Sequence, residues 1–268
     1  MERVGDILDL ARGLALEASR VLVPLECAGC GSYDHVLCPA CQLALEAPVR
    51  VDRDAHDLAE GLAVWGLGTY RERLRHIVLA WKVGGRRDLD EPLHAALASL
   101  AAHWCRQGGS VSLAEGHSAG SAWSSGAEAA PTPGESEVWV VPAPSGPLRR
   151  LRGRPPVWRL ADAVAAGLAG EGVRASVVLA LGQHGRSRHH EGGAGRHGRA
   201  TRAEIRARVP LAGVRVVLVD DVLTTGATLQ RCRIALARQG GEVMVAFVVA
   251  AAAAPGAHAR LSLGRQVD

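Results

Sequence analysis

Two adjacent carboxylates and a cluster of hydroxyl residues stand together in the second half of the chain. Asp220 and Asp221 follow a continuous aliphatic run at 216–219, which has the composition of a strand covered on both faces. Ligands of open α/β sheets bind at the carboxyl ends of such strands. Small and hydroxyl-bearing residues then come where a helix is expected to begin: Thr224, Thr225, Gly226, Ala227 and Thr228. The run 216–228 therefore predicts a ligand site at the end of a strand.

The residue types in this run suit a phosphorylated ribose. Carboxylates accept hydrogen bonds from vicinal hydroxyls. Threonine hydroxyls and the backbone N–H groups at a helix start bind phosphate by charge-assisted hydrogen bonds, and the helix dipole favours negative charge there. The alternative is a buried strand that ends in an acidic turn before a threonine-capped helix, which any doubly wound protein can contain.

Four cysteines near the N-terminus form two C-x2-C pairs. Cys27 and Cys30 are separated from Cys38 and Cys41 by seven residues, a spacing that lets four thiolates surround one tetrahedral zinc ion. Four protein ligands leave no coordination position for water, so the expected Zn²⁺ is structural. Disulfide pairing is the alternative, and it requires an oxidising compartment.

The elements that must position these residues alternate between strands and helices. A strand-like segment at 62–70 leads into helical patterns at 71–82 and 90–106. Further strands are expected at 138–141, 176–181, 214–219 and 243–250, with helices at 155–168 and 227–238. Alternation of this kind predicts an α/β fold with a parallel sheet.

The remaining segments divide the chain. We expect an N-terminal helix and zinc module over 1–60, a main domain over 61–254, and a tail over 255–268. Within the main domain, residues 107–137 are rich in serine, glycine, alanine and proline, which is typical of a mobile loop. The tract from 184 to 208 holds seven arginines and four histidines and is interpreted as irregular.

Composition sets the broad class of the protein. Of the 268 residues 48% are hydrophobic and 22% charged, while 3% aromatics and 32 glycines indicate an alanine-, valine- and glycine-rich α/β framework. A net charge of +4 suits anionic partners such as phosphorylated metabolites or nucleic acid. The first twenty residues lack the apolar core of a signal peptide, and the apolar run at 243–255 is shorter than the roughly 20 residues that span a bilayer. We therefore expect a cytoplasmic protein without membrane insertion.

Four segments, in this order, resemble the ComF family of competence-associated phosphoribosyltransferase-like proteins. They are the four-cysteine module, YRERLRHIVLAWKVGGRRDL, VVPAPSGPLRRLRG and VVLVDDVLTTGATL. The resemblance spans almost the whole chain and implies a type I phosphoribosyltransferase fold, a Rossmann-like parallel sheet flanked by helices. It implies that Asp220 and Asp221 bind the ribose hydroxyls of 5-phosphoribosyl-1-pyrophosphate, and that residues 224–228 bind its 5-phosphate.

The same resemblance points to two further binding segments. Residues 140–146 lie where the family has its short pyrophosphate loop, so the diphosphate would face a set of backbone groups there: Ala143, Pro144, Ser145 and Gly146. Lys82 lies where the family has a lysine-aromatic-x-glycine motif, although Val83 replaces the aromatic residue here. We take Lys82 as a candidate cation for the diphosphate. The family's arginine-glycine-phenylalanine-asparagine-glutamine run is replaced by RGRPP at 152–156.

Two functions remain open from the sequence. An enzyme would displace pyrophosphate from ribose C1 and transfer the phosphoribosyl group to an acceptor, with Mg²⁺ neutralising the diphosphate. A binding module would sense the sugar phosphate, and its zinc module and arginine tracts would contact single-stranded DNA or DNA-uptake proteins. The intact run at 220–228 favours the enzyme, whereas the altered run at 152–156 favours the sensor. A purely protein-docking role for the zinc module leaves 220–228 unexplained.

Overall fold

The computed structural model describes residues 25–51, 62–109, 137–144, 157–184 and 204–252. The strands in these ranges are β1 (Val49–Arg50), β2 (Ala63–Gly66), β3 (Val138–Pro142), β4 (Ala175–Val177), β5 (Leu181–His184), β6 (Glu204–Ala207), β7 (Arg215–Leu223) and β8 (Glu242–Ala251). The helices are α1 (Pro39–Gln42), α2 (Glu72–Lys82), α3 (Asp90–Trp104), α4 (Val157–Gly170) and α5 (Ala227–Ala237). Short helical turns occur at Leu43–Leu45, Arg87–Leu89 and Cys105–Gly109.

Six strands form one sheet in the order β1-β2-β8-β7-β3-β4. All neighbouring pairs from β2 to β4 are parallel, and β1 alone pairs antiparallel, on the outer edge of β2. The fold is therefore mixed α/β with a mostly parallel sheet, as the alternation of strands and helices predicted. Among the described residues, no helix is both long and apolar enough to cross a membrane.

The sheet has a hydrophobic core on each face because successive residues of a strand point to opposite sides. In β7, Val217 and Val219 face a core that includes α2, α3 and α4. Val216 and Leu218 face a second core that includes α5 and the strands β5 and β6. This two-sided burial explains why residues 216–219 of β7 and 243–251 of β8 are apolar without interruption rather than alternating.

Strand β7 is longer than the sequence indicated. We expected a strand at 214–219 that ends at the two acids, but β7 continues to Leu223 and carries Asp220 and Asp221 within it. Pairing with β8 extends this far, since Asp220 lies opposite Val248 and Leu223 opposite Ala251. A long apolar partner strand thus keeps the acids in the sheet.

Strands β5 and β6 form a separate antiparallel sheet that the sequence did not predict. We expected one strand at 176–181 and an irregular tract from 184 to 208, whereas β4 ends at Val177 and β5 begins at Leu181. Residues Leu181 and Ile205 are buried in the core beneath α5, and this burial holds the two strands in place. The part of the arginine-rich tract at 185–203 lies outside the described residues, as does most of the expected loop at 107–137.

The cysteine-bearing segment packs on the same core as the main sheet. Cys27, Cys41 and Leu45 belong to the core cluster that contains Ile77 and Trp81 of α2. Strand β1, which follows the cysteines, joins the edge of the main sheet. The division at residue 60 remains a prediction, since residues 52–61 lie outside the described part of the chain.

Candidate functional site

Asp220 and Asp221 are the buried acidic residues of β7. Their side chains lie in the second half of the strand, and each residue is exposed by less than a tenth. One oxygen of Asp220 accepts a hydrogen bond from the backbone N–H of Asp221, and one of Asp221 accepts from Val222, both at 2.8 Å. Adjacent carboxylates are costly to bury, so a compensating cation is expected beside them.

Lys82 supplies that cation. Its Nζ lies 2.6 Å from Oδ2 of Asp221, and the Lys82 side chain is only 16% exposed. Helix α2 ends at Lys82 because Val83, Gly84 and Gly85 form a tight turn. A Cβ on Gly84 would come within 2.7 Å of the Ala80 carbonyl oxygen, and Gly85 has a φ of 70°. The glycine pair therefore ends the helix where its last residue reaches Asp221.

The threonine turn, residues 224–228, joins β7 to α5 and includes the first two residues of that helix. Thr224, Thr225 and Thr228 are exposed. Gly226 adopts a φ of 85°, which favours glycine, and helix α5 begins at Ala227. The N–H of Ala227 donates to Oγ1 of Thr225 at 3.4 Å. The first N–H groups of a helix have no intrahelical acceptors, so this turn can bind an anion.

The end of β3 lies beside the same part of β7. Pro142 pairs with Val219, and the N–H of Ala143 donates to the Val219 carbonyl at 2.7 Å. The carbonyl of Pro144 accepts a hydrogen bond from Nε2 of Gln183 in β5 at 3.2 Å. The structure thus brings Ala143 and Pro144 to the sheet edge where the acids lie. Ser145 and Gly146 lie outside the described residues.

The four cysteine sulfurs lie within 4.8 Å of one another. Cys27 and Cys41 are buried, Cys38 is half-buried and Cys30 is exposed. The sulfurs of Cys30 and Cys38 are 3.6 Å apart, and the N–H of Cys38 donates to the sulfur of Cys27 at 3.3 Å. One shared ion requires all four sulfurs to converge in this way, whereas disulfides require only pairs. The cluster can therefore hold a metal such as zinc.

The surroundings of the cluster act differently on the individual thiols. Burial opposes ionisation of Cys27, but backbone N–H groups, first that of Cys38, outweigh it and lower the pKa of Cys27 to about 6. The Ser32 side chain and backbone N–H lower the pKa of Cys30. Burial, together with the neighbouring thiols, raises the pKa of Cys41. Binding of an ion therefore has to release protons, above all from Cys41.

Residues 158–260 match the family model described as phosphoribosyl transferase domain. The matched stretch begins in α4 and contains Asp220, Asp221 and the threonine turn. The match covers less than half of the chain, and it indicates a phosphoribosyl transferase domain in this region. No curated protein matches the chain. The match supports the type I phosphoribosyltransferase superfamily, and membership of the ComF family stays a prediction.

Two features of the site were absent from the sequence interpretation. The pairing of Lys82 with Asp221 joins residues far apart in the chain, and neither residue type indicates its partner. The contact between Gln183 and Pro144 depends on the unexpected strand β5. The lysine at the end of an amphipathic helix, followed after Val83 by two glycines, indicates where the helix ends but not which residue Lys82 pairs with.

Proposed function

We propose that this protein binds 5-phosphoribosyl-1-pyrophosphate with Mg²⁺ and transfers the phosphoribosyl group to an acceptor. One observation carries the proposal. The acidic pair and the threonine turn lie at one edge of a parallel sheet, inside the region that matches a phosphoribosyl transferase domain. The alternative of an acidic turn without a ligand leaves two buried carboxylates unexplained.

Asp220 and Asp221 are proposed to accept hydrogen bonds from the ribose hydroxyls. Both side chains are buried, and the pairing of β7 with β8 fixes the backbone that carries them. They therefore orient the sugar with little loss of their own conformational freedom. The 5-phosphate is proposed to bind the hydroxyls and N–H groups of residues 224–228, at the positive end of the α5 dipole.

The diphosphate is proposed to lie toward the segment Ala143, Pro144, Ser145 and Gly146, with Lys82 as its nearest cation. Asp221 already holds Lys82 at this edge of the sheet. Ala143 follows the end of β3, the strand next to β7. Carboxylate and phosphate oxygens are the ligands that Mg²⁺ prefers, so the acidic pair and a diphosphate suit this ion. When bound, Mg²⁺ neutralises charge on the leaving diphosphate.

The reaction is a displacement at ribose C1. A nucleophile of the acceptor forms a bond to C1, the bond from C1 to the diphosphate oxygen breaks, and pyrophosphate leaves with the electron pair. Positive charge develops on the sugar during this step. The protein contributes by positioning and electrostatics: carboxylates beside the ribose stabilise the developing charge, and cations stabilise the leaving group.

Calorimetric titration with 5-phosphoribosyl-1-pyrophosphate and Mg²⁺ tests the proposal. We expect one ligand to bind per chain, and the double variant Asp220→Asn/Asp221→Asn to bind about 100-fold more weakly, because two hydrogen bonds to charged acceptors are weakened. Asp162→Asn, an acid-to-amide change at an exposed position of α4, is the matched control and should leave binding unchanged. Equal binding by all three proteins would refute the assignment of the site.

A non-catalytic sensor is the second candidate. The run RGRPP at 152–156 lacks the aromatic and amide residues that the ComF family has there, and this favours binding without transfer. Pyrophosphate release during the titration separates the two functions. Release that requires Asp220 and Asp221 supports the transferase, and binding without release in the presence of varied acceptors supports the sensor. Salt-dependent binding of single-stranded DNA would support a link to DNA uptake.

A further inference from the structure

The turn at residues 26–30, which carries Cys27 and Cys30, contacts helix α2 and the segment just beyond it. Within α2, Nδ1 of His76 lies 3.1 Å from the carbonyl oxygen of Gly29, so the protonated Nδ1 donates to it. Just beyond the helix, Nη1 of Arg86 donates to the carbonyl of Glu26 at 2.9 Å. Both acceptors are backbone groups next to candidate metal ligands, since Glu26 precedes Cys27 and Gly29 precedes Cys30. The turn therefore contacts the chain on both sides of Lys82, within α2 at His76 and beyond the helix at Arg86.

Gly29 is also packed tightly between the cluster and α2. A Cβ at this position would come within 2.5 Å of the Cys41 sulfur and 3.4 Å of Cδ1 of Ile77. Ile77 belongs to α2 and is fully buried in the hydrophobic core. Close packing thus leaves no room for a side chain between the turn and α2, and the Cys41 sulfur forms part of this packing.

The other end of α2 reaches the proposed ligand site. Lys82 lies six positions after His76, about 9 Å along the helix axis at 1.5 Å per residue. Trp81 donates from Nε1 to Oδ1 of Asp90 at 2.7 Å, which fixes the last turn of α2 against α3. A displacement of α2 by 1 Å therefore changes the 2.6 Å contact between Lys82 and Asp221.

We propose that the metal-bound cysteine cluster positions Lys82 for the ligand. An ion shared by Cys27, Cys30, Cys38 and Cys41 fixes the turn that carries Gly29, and the turn fixes α2 through His76 and Arg86. Helix α2 then holds the Lys82 ammonium at the acidic pair. The inference rests on the proposed function, because it assigns the cluster an effect on that same site. His76 is in this account a positioning residue that acts through Lys82.

If the cluster only stabilised the fold, loosening the turn would have a different effect on ligand binding. Loosening the turn would then lower the stability of the whole chain, and ligand affinity would change independently of Lys82. Effects of two substitutions that act through one contact are not additive, whereas independent effects are. A double-mutant cycle separates these cases.

The test uses the full chain loaded with Zn²⁺ and measures the Kd for 5-phosphoribosyl-1-pyrophosphate with Mg²⁺ by calorimetry. We expect His76→Ala to weaken binding about 5-fold with Lys82 present and less than 2-fold in the Lys82→Met background, a coupling of about 2.5-fold or more that lies at the lower end of the range for interacting residues. His76→Asn places an amide donor near the position of Nδ1 and should restore most of the affinity. Arg75→Ala, an exposed change on the same helix, is the matched control.

Zinc content is measured for every variant, and one ion per chain is expected throughout. A fold-change for His76→Ala that is the same in both backgrounds would overturn the inference while leaving the proposed function intact. If His76→Ala loses zinc, the zinc-free wild-type chain replaces it in the cycle, with the same expected dependence on Lys82. Failure of the intact protein to bind the ligand would instead refute the proposed function.

Discussion

At the scale of single residues, the ion pair between Lys82 and Asp221 dominates the site. Asp221 is nine-tenths buried beside a second carboxylate, and the Lys82 ammonium lies 2.6 Å away with little exposure. A buried charge that loses its partner is strongly destabilising, whereas an exposed pair contributes little. Burial of the two adjacent carboxylates is therefore unfavourable by itself, and the Lys82 ammonium offsets this cost in the ligand-free protein.

Lys82→Met tests this pair. The substitution removes the ammonium but keeps an apolar stem, and we expect the free energy of unfolding to fall by about 1–3 kcal/mol, between the values for exposed and fully buried pairs. Urea unfolding followed by tryptophan fluorescence measures the change. Arg206→Met is the matched control, because its pair with Glu204 at 2.7 Å is exposed on both sides and should contribute less than about 1 kcal/mol. Equal losses in the two variants would contradict the account.

Contiguous motifs indicated several residues of the candidate site. The acids, the threonine turn and the cysteines each stand within a few positions of their partners, so spacing alone indicated their chemistry. Lys82 was a candidate cation only through the family resemblance, and its contact with Asp221 depends on how α2 packs against β7. The ion pair joins two residues that are far apart in the sequence, so it depends on the fold and no local sequence pattern indicates it.

At the scale of elements, close approach of backbones determines how the helices cover the sheet. Helices α3 and α4 meet at Gly167, where a Cβ would collide with the backbone carbonyl of Ala98. Three residues further along α4, Gly170 has open space around its Cα. A methyl group added at Gly167 would thus clash with α3, whereas one added at Gly170 would point into open space.

Gly167→Ala and Gly170→Ala form a matched pair. We expect Gly167→Ala to lower the free energy of unfolding by about 1–3 kcal/mol, because the added methyl group forces α3 and α4 apart. Gly170→Ala should change stability little or raise it by up to about 1 kcal/mol, since alanine favours the helix. Chemical denaturation of both variants gives the comparison, and a loss at Gly170 as large as at Gly167 would show that packing against α3 is not the cause.

Element boundaries were less predictable than element types. Helix α5 and strand β8 lie within two residues of their expected bounds, because their apolar patterns are long and end at turn residues. The end of β7 was misplaced by four residues, since the ladder with β8 and not the local sequence decides where pairing stops. Strands β5 and β6 were missed because the charged tract between them obscures two short strands whose apolar residues are buried under α5.

At the scale of the whole molecule, sheet order brings distant segments together. The order β1-β2-β8-β7-β3-β4 places the end of β3 beside β7, and α2 delivers Lys82 to the same edge. The cysteine cluster contacts this assembly through α2, so one core connects the cluster with the candidate ligand site. The parallel sheet was predictable from the alternation of elements, whereas strand order and the placement of the cysteine cluster required the fold.

The most direct test of the central claim is a crystal structure of the chain with 5-phosphoribosyl-1-pyrophosphate and Mg²⁺. The account predicts the 5-phosphate within hydrogen-bond distance of residues 224–228, the ribose hydroxyls on Asp220 and Asp221, and the diphosphate toward Ala143 and Lys82. Ligand density at any other place in the fold, or no density at ligand concentrations that saturate the protein in solution, would contradict it.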